Sequence, residues 1–291
     1  MSIEPGKYVE KGVEWLSTNA SGFFDAITAG IGGVVTGIET VFTILPFWLV
    51  ILLLAALSYY LPARGQLFTK KGWKAGGGMA IFTVVGLFLL YAMGYWEQTM
   101  QTIALILASA IIALAIGIPL GIYSARNDRA EQIIRPILDF MQTMPAFVYL
   151  IPAIILFSVG DVPGVVATIV FALPPAVRLT NLGIRNVPKD VVEASRAFGS
   201  TKRQLLYKVQ LPLAMTTILA GVNQVIMLSL SMVVIASMVG AGGLGQEVYK
   251  GILQADIALG FEAGLGIVIL AIILDRITQN LGMGSKMNQE N

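Results

Sequence analysis

Long runs of apolar side chains constrain this chain more than any other feature. Residues 99–124 contain no charged side chain, and six further runs are nearly as apolar. The seven runs cover roughly 43–61, 79–96, 99–124, 144–160, 163–180, 214–239 and 258–277. A helix of about 20 mostly apolar residues crosses the hydrocarbon core of a bilayer. Charged residues make up only 12% of the chain, whereas soluble domains carry about 25%. The sequence therefore predicts an all-α, polytopic membrane helix bundle of about seven transmembrane helices.

Segment 23–42 precedes the first run and has a mixed pattern. Apolar residues recur there at helical spacing, with Asp25, Thr28 and Glu39 between them. This pattern is typical of an N-terminal amphipathic helix that lies in the membrane interface. Glycines within the segment weaken that interpretation, and an eighth membrane span is the alternative.

The basic residues predict the orientation, because cytoplasmic loops are enriched in lysine and arginine. If the 62–78 loop lies inside, alternation of the spans also places 125–143, 181–213 and the C-terminus inside. Nearly every lysine and arginine lies in or beside those four regions. Seven spans then place the N-terminus outside, whereas an eighth span would move it inside.

Several functional classes are excluded by what the sequence lacks. It has no cysteine and no histidine, which excludes disulfides, zinc clusters and serine–histidine triads. No cluster of carboxylates indicates another metal site, and a net charge of +2 gives no sign of nucleic-acid binding. The phosphate-binding pattern G-x-x-x-x-G-K-[ST] does not occur. We therefore expect no metal, cofactor, nucleic-acid partner or enzymatic activity in this chain.

Residues 240–245, Gly-Ala-Gly-Gly-Leu-Gly, match the dinucleotide-binding pattern G-x-G-x-x-G. That pattern binds dinucleotides only when it joins a strand to a helix. Here it follows a predicted membrane helix on the outer side, so the sequence predicts a flexible turn instead.

The cytoplasmic loop 187–212 carries the most specific pattern. Pro188 suits the start of a short helix, and Gly199 suits the left-handed residue that ends it. Thr201 and Gln204 form the sequence of a capping box at the start of a second helix. Taken alone, this helix–glycine–helix pattern is also typical of an ordinary basic loop.

The same residues resemble the "EAA" loop of ABC-importer permeases. The family motif is E-A-A-x-x-x-G, nine residues, then I-x-L-P, and this chain has Glu193-Ala194-Ser195, Gly199 and Val209-x-Leu211-Pro212 at that spacing. Ser195 and Val209 are small or isosteric departures from it. The resemblance implies a coupling loop that docks on a separate ATPase subunit. Glu193, Ala194, Ser195 and Gly199 would form the docking turn. Leu211-Pro212 would be the hinge into the membrane, where we expect the second helix to stop.

Residues 99–280 resemble permeases of the glycine betaine/proline importer family. The stretches that carry this resemblance are Leu138-Asp-Phe-Met-Gln-Thr-Met-Pro-Ala-Phe-Val-Tyr-Leu, Val162-Pro-Gly-Val-Val-Ala, Leu173-Pro-Pro-Ala-Val-Arg and Met238-Val-Gly-Ala-Gly-Gly-Leu-Gly. They imply a type I ABC importer transmembrane domain that translocates glycine betaine or a related compatible solute (proline, carnitine, choline) for osmoprotection. Residues 1–98 would then be a peripheral scaffold, 99–280 the core permease domain and 281–291 a cytoplasmic tail.

The resemblance also implies the partners and the location. A second copy of this chain, an ATPase subunit that binds ATP and Mg²⁺, and an extracytoplasmic substrate-binding protein would assemble with it in the prokaryotic plasma (inner) membrane. Because the chain ends at Asn291, shortly after its last predicted span, we expect the binding protein to be a separate chain that meets the outer turn.

Two alternatives to this function stay open at the sequence level. One is an ABC permease for another small solute, and the other, of a different class, is a stand-alone secondary carrier. No charged residue is predicted at mid-span. Proton- or sodium-coupled carriers usually keep one there, so this pattern favours drive by a partner ATPase.

Candidate residues for the translocation pathway lie in the fourth to sixth predicted spans. Aromatic faces attract quaternary ammonium ions, and polar groups at membrane depth usually face a cavity or the bundle interior. The candidates are Pro145, Phe147, Tyr149, Phe171, Asn223, Ser229 and Ser231. The alternatives are plain packing for the aromatic residues and helix–helix contact for the polar ones. Of the adjacent Asn223 and Gln224, at most one can point into a pore, and we expect it to be Asn223.

Overall fold

The computed structural model describes residues 5–63 and 76–287, and within these ranges the chain is helical almost throughout, with no β-strand. The helices are α1 (Pro5–Asn19), α2 (Ser21–Ile44), α3 (Phe47–Tyr60), α4 (Gly78–Ala92), α5 (Trp96–Arg126), α6 (Asp128–Thr143), α7 (Ala146–Phe157), α8 (Asp161–Arg185), α9 (Lys189–Ala197), α10 (Lys202–Ser237), α11 (Leu244–Gln254) and α12 (Ile257–Met287). The predicted all-α class is confirmed. Most of the predicted 62–78 loop lies outside the described residues, and α12 continues into the predicted 281–291 tail.

The spans differ in length from those that the sequence predicts. Helices α2, α5, α8, α10 and α12 are long and apolar enough to cross a membrane, and α6 with α7 forms a sixth, bent candidate. The runs at 43–61 and 79–96 form helices of only 14 and 15 residues, shorter than the about 20 residues of a typical crossing. Segment 23–42 belongs to a continuous helix of 24 residues. This helix is long and apolar enough to form a further span.

The central helices α5, α8 and α10 approach closely because glycines remove the side chains between them. A Cβ atom at Gly117 would lie 2.5 Å from the Cβ of Ala176, and one at Gly121 would lie 2.5 Å from the Cβ of Thr180. On another side of α8, Gly221 of α10 makes a similarly close contact. Small residues in this arrangement let membrane helices associate through backbone packing.

The fourth predicted span, 144–160, forms a helix of only 12 residues, and the chain bends sharply just before it. Helices α6 and α7 meet at 98°, and Met144 between them is extended, with ψ at 134°. A residue that precedes proline is disfavoured in the helical conformation, and Pro145 follows Met144 directly. The bend leaves α6 roughly perpendicular to α7. Helix α6 lies at the end of the bundle where α5 and α8 both end.

Candidate functional site

The chain between α8 and the membrane part of α10 forms a projecting unit, called here the docking knob (residues 189–204). Its first helix, α9, has no buried residue. Val191, Ala194 and Phe198 are all exposed and share one face at helical spacing, and the Phe198 ring is 91% exposed. An apolar patch bordered by polar residues is typical of a protein-interaction surface.

Local hydrogen bonds hold the docking knob in one conformation. Gly199 has a φ of +79°, the left-handed conformation that ends many helices. Thr201 Oγ1 accepts from the Gln204 N–H at 3.3 Å, and Gln204 Oε1 accepts from the Thr201 N–H at 2.8 Å. The Ser195 and Ser200 hydroxyls bond to each other at 2.8 Å. The predicted left-handed glycine and capping box are both confirmed.

The second helix of the docking knob does not stop at Leu211-Pro212, and this part of the sequence prediction is wrong. Leu205–Gln210 form one π-helical turn that runs directly into the membrane part of α10, and the Leu211 N–H donates to the Leu206 carbonyl five residues back. In an α-helix the proline ring clashes with the carbonyl four residues earlier, and the wider turn relieves that clash. The docking knob and α10 are therefore joined by an unbroken helix.

One stripe of α10 faces outward and carries polar groups at membrane depth. The exposed residues of this α10 stripe are Leu213, Ala220, Gln224, Ser231 and Met238. Their spacing of seven and four residues places them on one face of the helix. The Ser231 hydroxyl donates to the Met227 carbonyl of the same helix, so Gln224 is the group that is costly against lipid. It makes this stripe suited to a protein surface or a water-filled space.

Two predicted pathway residues turn away from the α10 stripe. The Asn223 amide donates to the Asp275 carboxylate of α12 at 3.3 Å. Ser229 is 1% exposed, and its hydroxyl has no partner among the described residues. Gln224 is the exposed member of the adjacent pair, and a pathway role for Asn223 stays a prediction. Ser231 lies on the stripe, and its role in the pathway stays a prediction.

The predicted residues near the α6–α7 bend are divided between surface and interior. Phe147 is 51% exposed, whereas the Tyr149 hydroxyl donates to the Met141 carbonyl. Phe171 is partly buried and packs in the cluster between α7, α8 and α10. Pro145 lies at the start of α7. Packing thus accounts for Tyr149 and Phe171, and Phe147 keeps its candidate role.

An ionic network that the sequence analysis missed joins α6 to the inner half of α8. Arg185 bonds to the Asp128 and Glu131 carboxylates at 2.7 and 2.8 Å, and Arg178 bonds to the Asp139 carboxylate. The spacing in the sequence contained a signal for this network. The three acids share one face of α6, and the two arginines, seven residues apart, share one face of α8. Only the bend before α7 brings these two faces together.

The outer turn at 240–245 is held in place, so the expectation of a flexible turn is wrong. Three of its backbone amides donate to side chains at the outer ends of α5 and α8. These bonds run from Gly242 to Asp161 at 2.8 Å, from Gly243 to Gln101 at 3.1 Å and from Leu244 to Thr102 at 2.8 Å. The turn therefore ties α5, α8, α10 and α11 together on the outer side.

Residues 117–282 match the protein family described as "Binding-protein-dependent transport system inner membrane component". The chain belongs to this family. As a member, it is a multi-pass transport component of the inner membrane, in agreement with the helical bundle and its spans.

Individual members of the family are similar along nearly the whole chain. Identity is 50% over 278 residues to the glycine betaine transport system permease protein OpuAB of Bacillus subtilis (strain 168), covering 96% of this chain and 94% of that protein. Identity is 51% over 285 residues to the glycine betaine/carnitine transport permease protein GbuB of Listeria monocytogenes serotype 1/2a (strain 10403S), covering 98% of each.

The fold of this family member also has a solved counterpart. The MetNI methionine ABC transporter in an inward-facing conformation contains a chain with a TM-score of 0.58 and 22% identity, covering 72% of this chain and 98% of that one. At this level of identity the likeness concerns the fold alone. It confirms the type I ABC importer transmembrane domain that the sequence predicts.

Proposed function

We propose that this chain is the membrane permease subunit of an ATP-driven importer that translocates glycine betaine or a related compatible solute, such as proline, carnitine or choline, for osmoprotection. The observation that carries the proposal is the 50% and 51% identity to two permeases named for glycine betaine, along 96% and 98% of the chain. Similarity of that extent includes the helices that bound a pathway as well as the docking knob.

Energy would come from a separate ATPase subunit that binds ATP and Mg²⁺. The docking knob supports this role, because the exposed apolar face of α9 is bordered by exposed Arg196, Lys202 and Arg203. An ATPase pair that closes on ATP would move the docking knob. The unbroken helix Lys202–Ser237 would carry that movement into the membrane, since a continuous helix transmits displacement along its axis.

Two further contacts complete the proposed assembly. A second copy of the chain would cover the α10 stripe, so that Gln224 and Ser231 face a shared pathway instead of lipid. An extracytoplasmic binding protein would deliver solute at the outer turn, whose hydrogen bonds present a fixed surface to it. Alternating closure at the two ends would then move solute inward.

The test is ATP-dependent uptake of labelled glycine betaine into liposomes that hold the chain with its ATPase and binding protein. Gly199→Arg is the critical variant. A Cβ at Gly199 would meet no atom within 4 Å, but the φ of +79° strains any side chain there, so thermal unfolding of the variant checks that the fold persists. Gly199→Asn is the matched control, because asparagine tolerates the left-handed conformation.

We expect uptake by the intact chain and by Gly199→Asn, and little uptake by Gly199→Arg. Uptake without ATP or ATPase would replace the proposal with a secondary carrier. ATP-driven uptake of another solute, with glycine betaine ignored, would keep the importer and discard the proposed substrate.

A further inference from the structure

A cavity of about 430 Å³ lies between α6 and the inner ends of α5 and α8. Its volume is within the range of about 300–1,000 Å³ that is typical of small-molecule sites. We call it the inner cavity, and its lining includes Ser124, Leu138, Asp139, Arg178, Asn181 and Leu182. Helices α5 and α8 end at Arg126 and Arg185, so the positive-inside orientation puts the inner cavity at the cytoplasmic end.

The inner cavity combines apolar walls with a few convergent polar groups. Leu138, Val177 and Leu182 supply apolar surface. Asn181 donates to the Ser124 hydroxyl at 2.8 Å, and the two residues are only 9% and 2% exposed. A lining of this kind suits a small solute with an apolar body and a charged end.

Arg135 and Arg178 both line the inner cavity, and Arg178 is the less exposed of the two. One terminal nitrogen of its guanidinium donates to Asp139, whereas the Nε atom is buried and has no partner among the described residues. A guanidinium binds a carboxylate best through two parallel N–H donors, and a buried donor without a partner is unfavourable. A second carboxylate would reach this buried Nε donor once the guanidinium turns away from Asp139.

Arg178 lies on one stripe of α8 that ends at the inner cavity. Phe171, Arg178 and Leu182 recur at seven- and four-residue spacing and form one stripe of α8. Gly221 of α10 packs against the adjacent Leu179 of α8. The α8 stripe therefore runs beside α10 towards the inner cavity.

We propose that the inner cavity is an exit subsite that binds the carboxylate of the transported solute through Arg178. This inference rests on the proposed function, since it requires a solute that carries both a carboxylate and an ammonium group, as glycine betaine does. The solute carboxylate competes with Asp139 for the guanidinium, and the Nε donor becomes accessible to it when Arg178 turns away from Asp139. The displaced Asp139 carboxylate then faces the ammonium group of the solute.

Asp139 also provides for release. When it returns to Arg178, the solute loses part of its hold on the guanidinium and leaves to the cytoplasm. Because Asp139 competes for Arg178, the subsite binds the solute weakly. Weak binding is required at an exit site, since the solute must leave it. Choline, which has no carboxylate, gains nothing from Arg178.

The chain's lack of cysteine permits a direct test of occupancy. Leu182→Cys places a single thiol of this chain on the cavity wall, at a position that is 47% exposed. The probe is the alkylation rate of that thiol by a maleimide in the liposome-embedded complex with its ATPase, without binding protein. Glycine betaine is titrated against tetramethylammonium, which shares the quaternary ammonium group and lacks the carboxylate. At about ten times its dissociation constant, a bound solute slows alkylation about tenfold by mass action.

We expect glycine betaine to protect the thiol and tetramethylammonium not to. Arg178→Gln should abolish protection, whereas Asp139→Asn should strengthen it, because the competitor is removed. A merely structural ion pair predicts the same loss from both changes. Arg129→Gln is the matched control, since Arg129 is an exposed arginine of α6 that does not line the inner cavity, and it should leave protection unchanged.

Equal protection by tetramethylammonium, protection that persists in Arg178→Gln, or no protection at all would overturn the exit subsite. Uptake of glycine betaine by the complete assembly is measured in parallel. Normal uptake without protection removes only this inference, whereas absence of glycine betaine uptake removes the proposed function beneath it. Protection that follows the anionic lipid content and not glycine betaine would assign the guanidinium to lipid phosphate and also overturn the proposal.

Discussion

At the scale of single residues, glycines determine how closely the central helices pack. Gly121 faces both a side chain and a backbone oxygen of α8, and its missing Cβ would lie 2.5 Å from the Thr180 Cβ and 2.7 Å from the Val177 carbonyl oxygen. Backbone atoms cannot move aside as a flexible side chain does. The close contact between α5 and α8 therefore requires glycine at position 121.

We expect Gly121→Ala to destabilise the protein by about 1–3 kcal/mol, the usual effect of overfilling a packed interface. Gly33→Ala in α2 is the matched control, because a Cβ there meets nothing within 4 Å and alanine favours helix more than glycine does. Thermal unfolding of the two purified variants in detergent measures the difference. Equal midpoints would show that α5 and α8 separate more readily than their packing indicates.

The adjacent residues Asn223 and Gln224 offer a second comparison at this scale. Asn223→Ala removes one donor to the Asp275 carboxylate, which keeps Gln279, and the acceptor of the Thr278 hydroxyl, so we expect lower thermal stability, by about 1 kcal/mol per lost hydrogen bond. Gln224→Ala changes only the exposed α10 stripe. It should keep the stability and alter the rate of solute uptake. The reverse pattern, with a stable Asn223→Ala that transports poorly, would support the original sequence prediction.

At the scale of elements, the π turn between the docking knob and the membrane is the feature most closely linked to coupling. Tyr207 and Lys208 lie in this turn with exposed side chains, so their replacement changes helix stiffness more than packing. We expect the double change Tyr207→Gly and Lys208→Gly to uncouple ATP hydrolysis from uptake, since each glycine weakens a helix by about 1 kcal/mol relative to alanine.

The matched control for that change is the double alanine variant at the same positions. Both variants should assemble with the ATPase and hydrolyse ATP, while only the glycine variant imports fewer solute molecules per ATP. The ratio of uptake to hydrolysis in liposomes is the measurement. An unchanged ratio would mean that α10 does not carry the movement.

The sequence predicted those elements whose determinants are local. The capping box at Thr201 and the left-handed Gly199 depend on neighbours within four residues, and both were found as predicted. The continuation of α10 past Pro212 was missed because it depends on a change of helix type, which leaves no mark in the apolar pattern. Gln224 is exposed and Asn223 is not because α12 packs beside α10. That packing is a tertiary contact, which the local sequence pattern does not reveal.

At the scale of the whole molecule, the α10 stripe is an exposed and partly polar surface that is poorly suited to contact with lipid. The α10 stripe runs from Leu213 near the docking knob to Met238 near the outer turn, and so spans the bundle from one end to the other. The Gln224 amide on it is unfavourable against lipid, and homo-oligomers usually pair identical surfaces across a two-fold axis. Residues near such an axis lie close to their own copies.

We therefore expect Ser231→Cys to be cross-linked between two copies by a short bis-maleimide, in a chain whose own sequence has no other thiol. Ile272→Cys on α12 is the matched control, because Ile272 is exposed at 39% and shares its face of the helix with the exposed apolar residues Phe261 and Val268. A covalent dimer on a denaturing gel is expected for Ser231→Cys alone. If Ile272→Cys gives the dimer instead, the two copies meet through α12, and the α10 stripe must face water within a single chain.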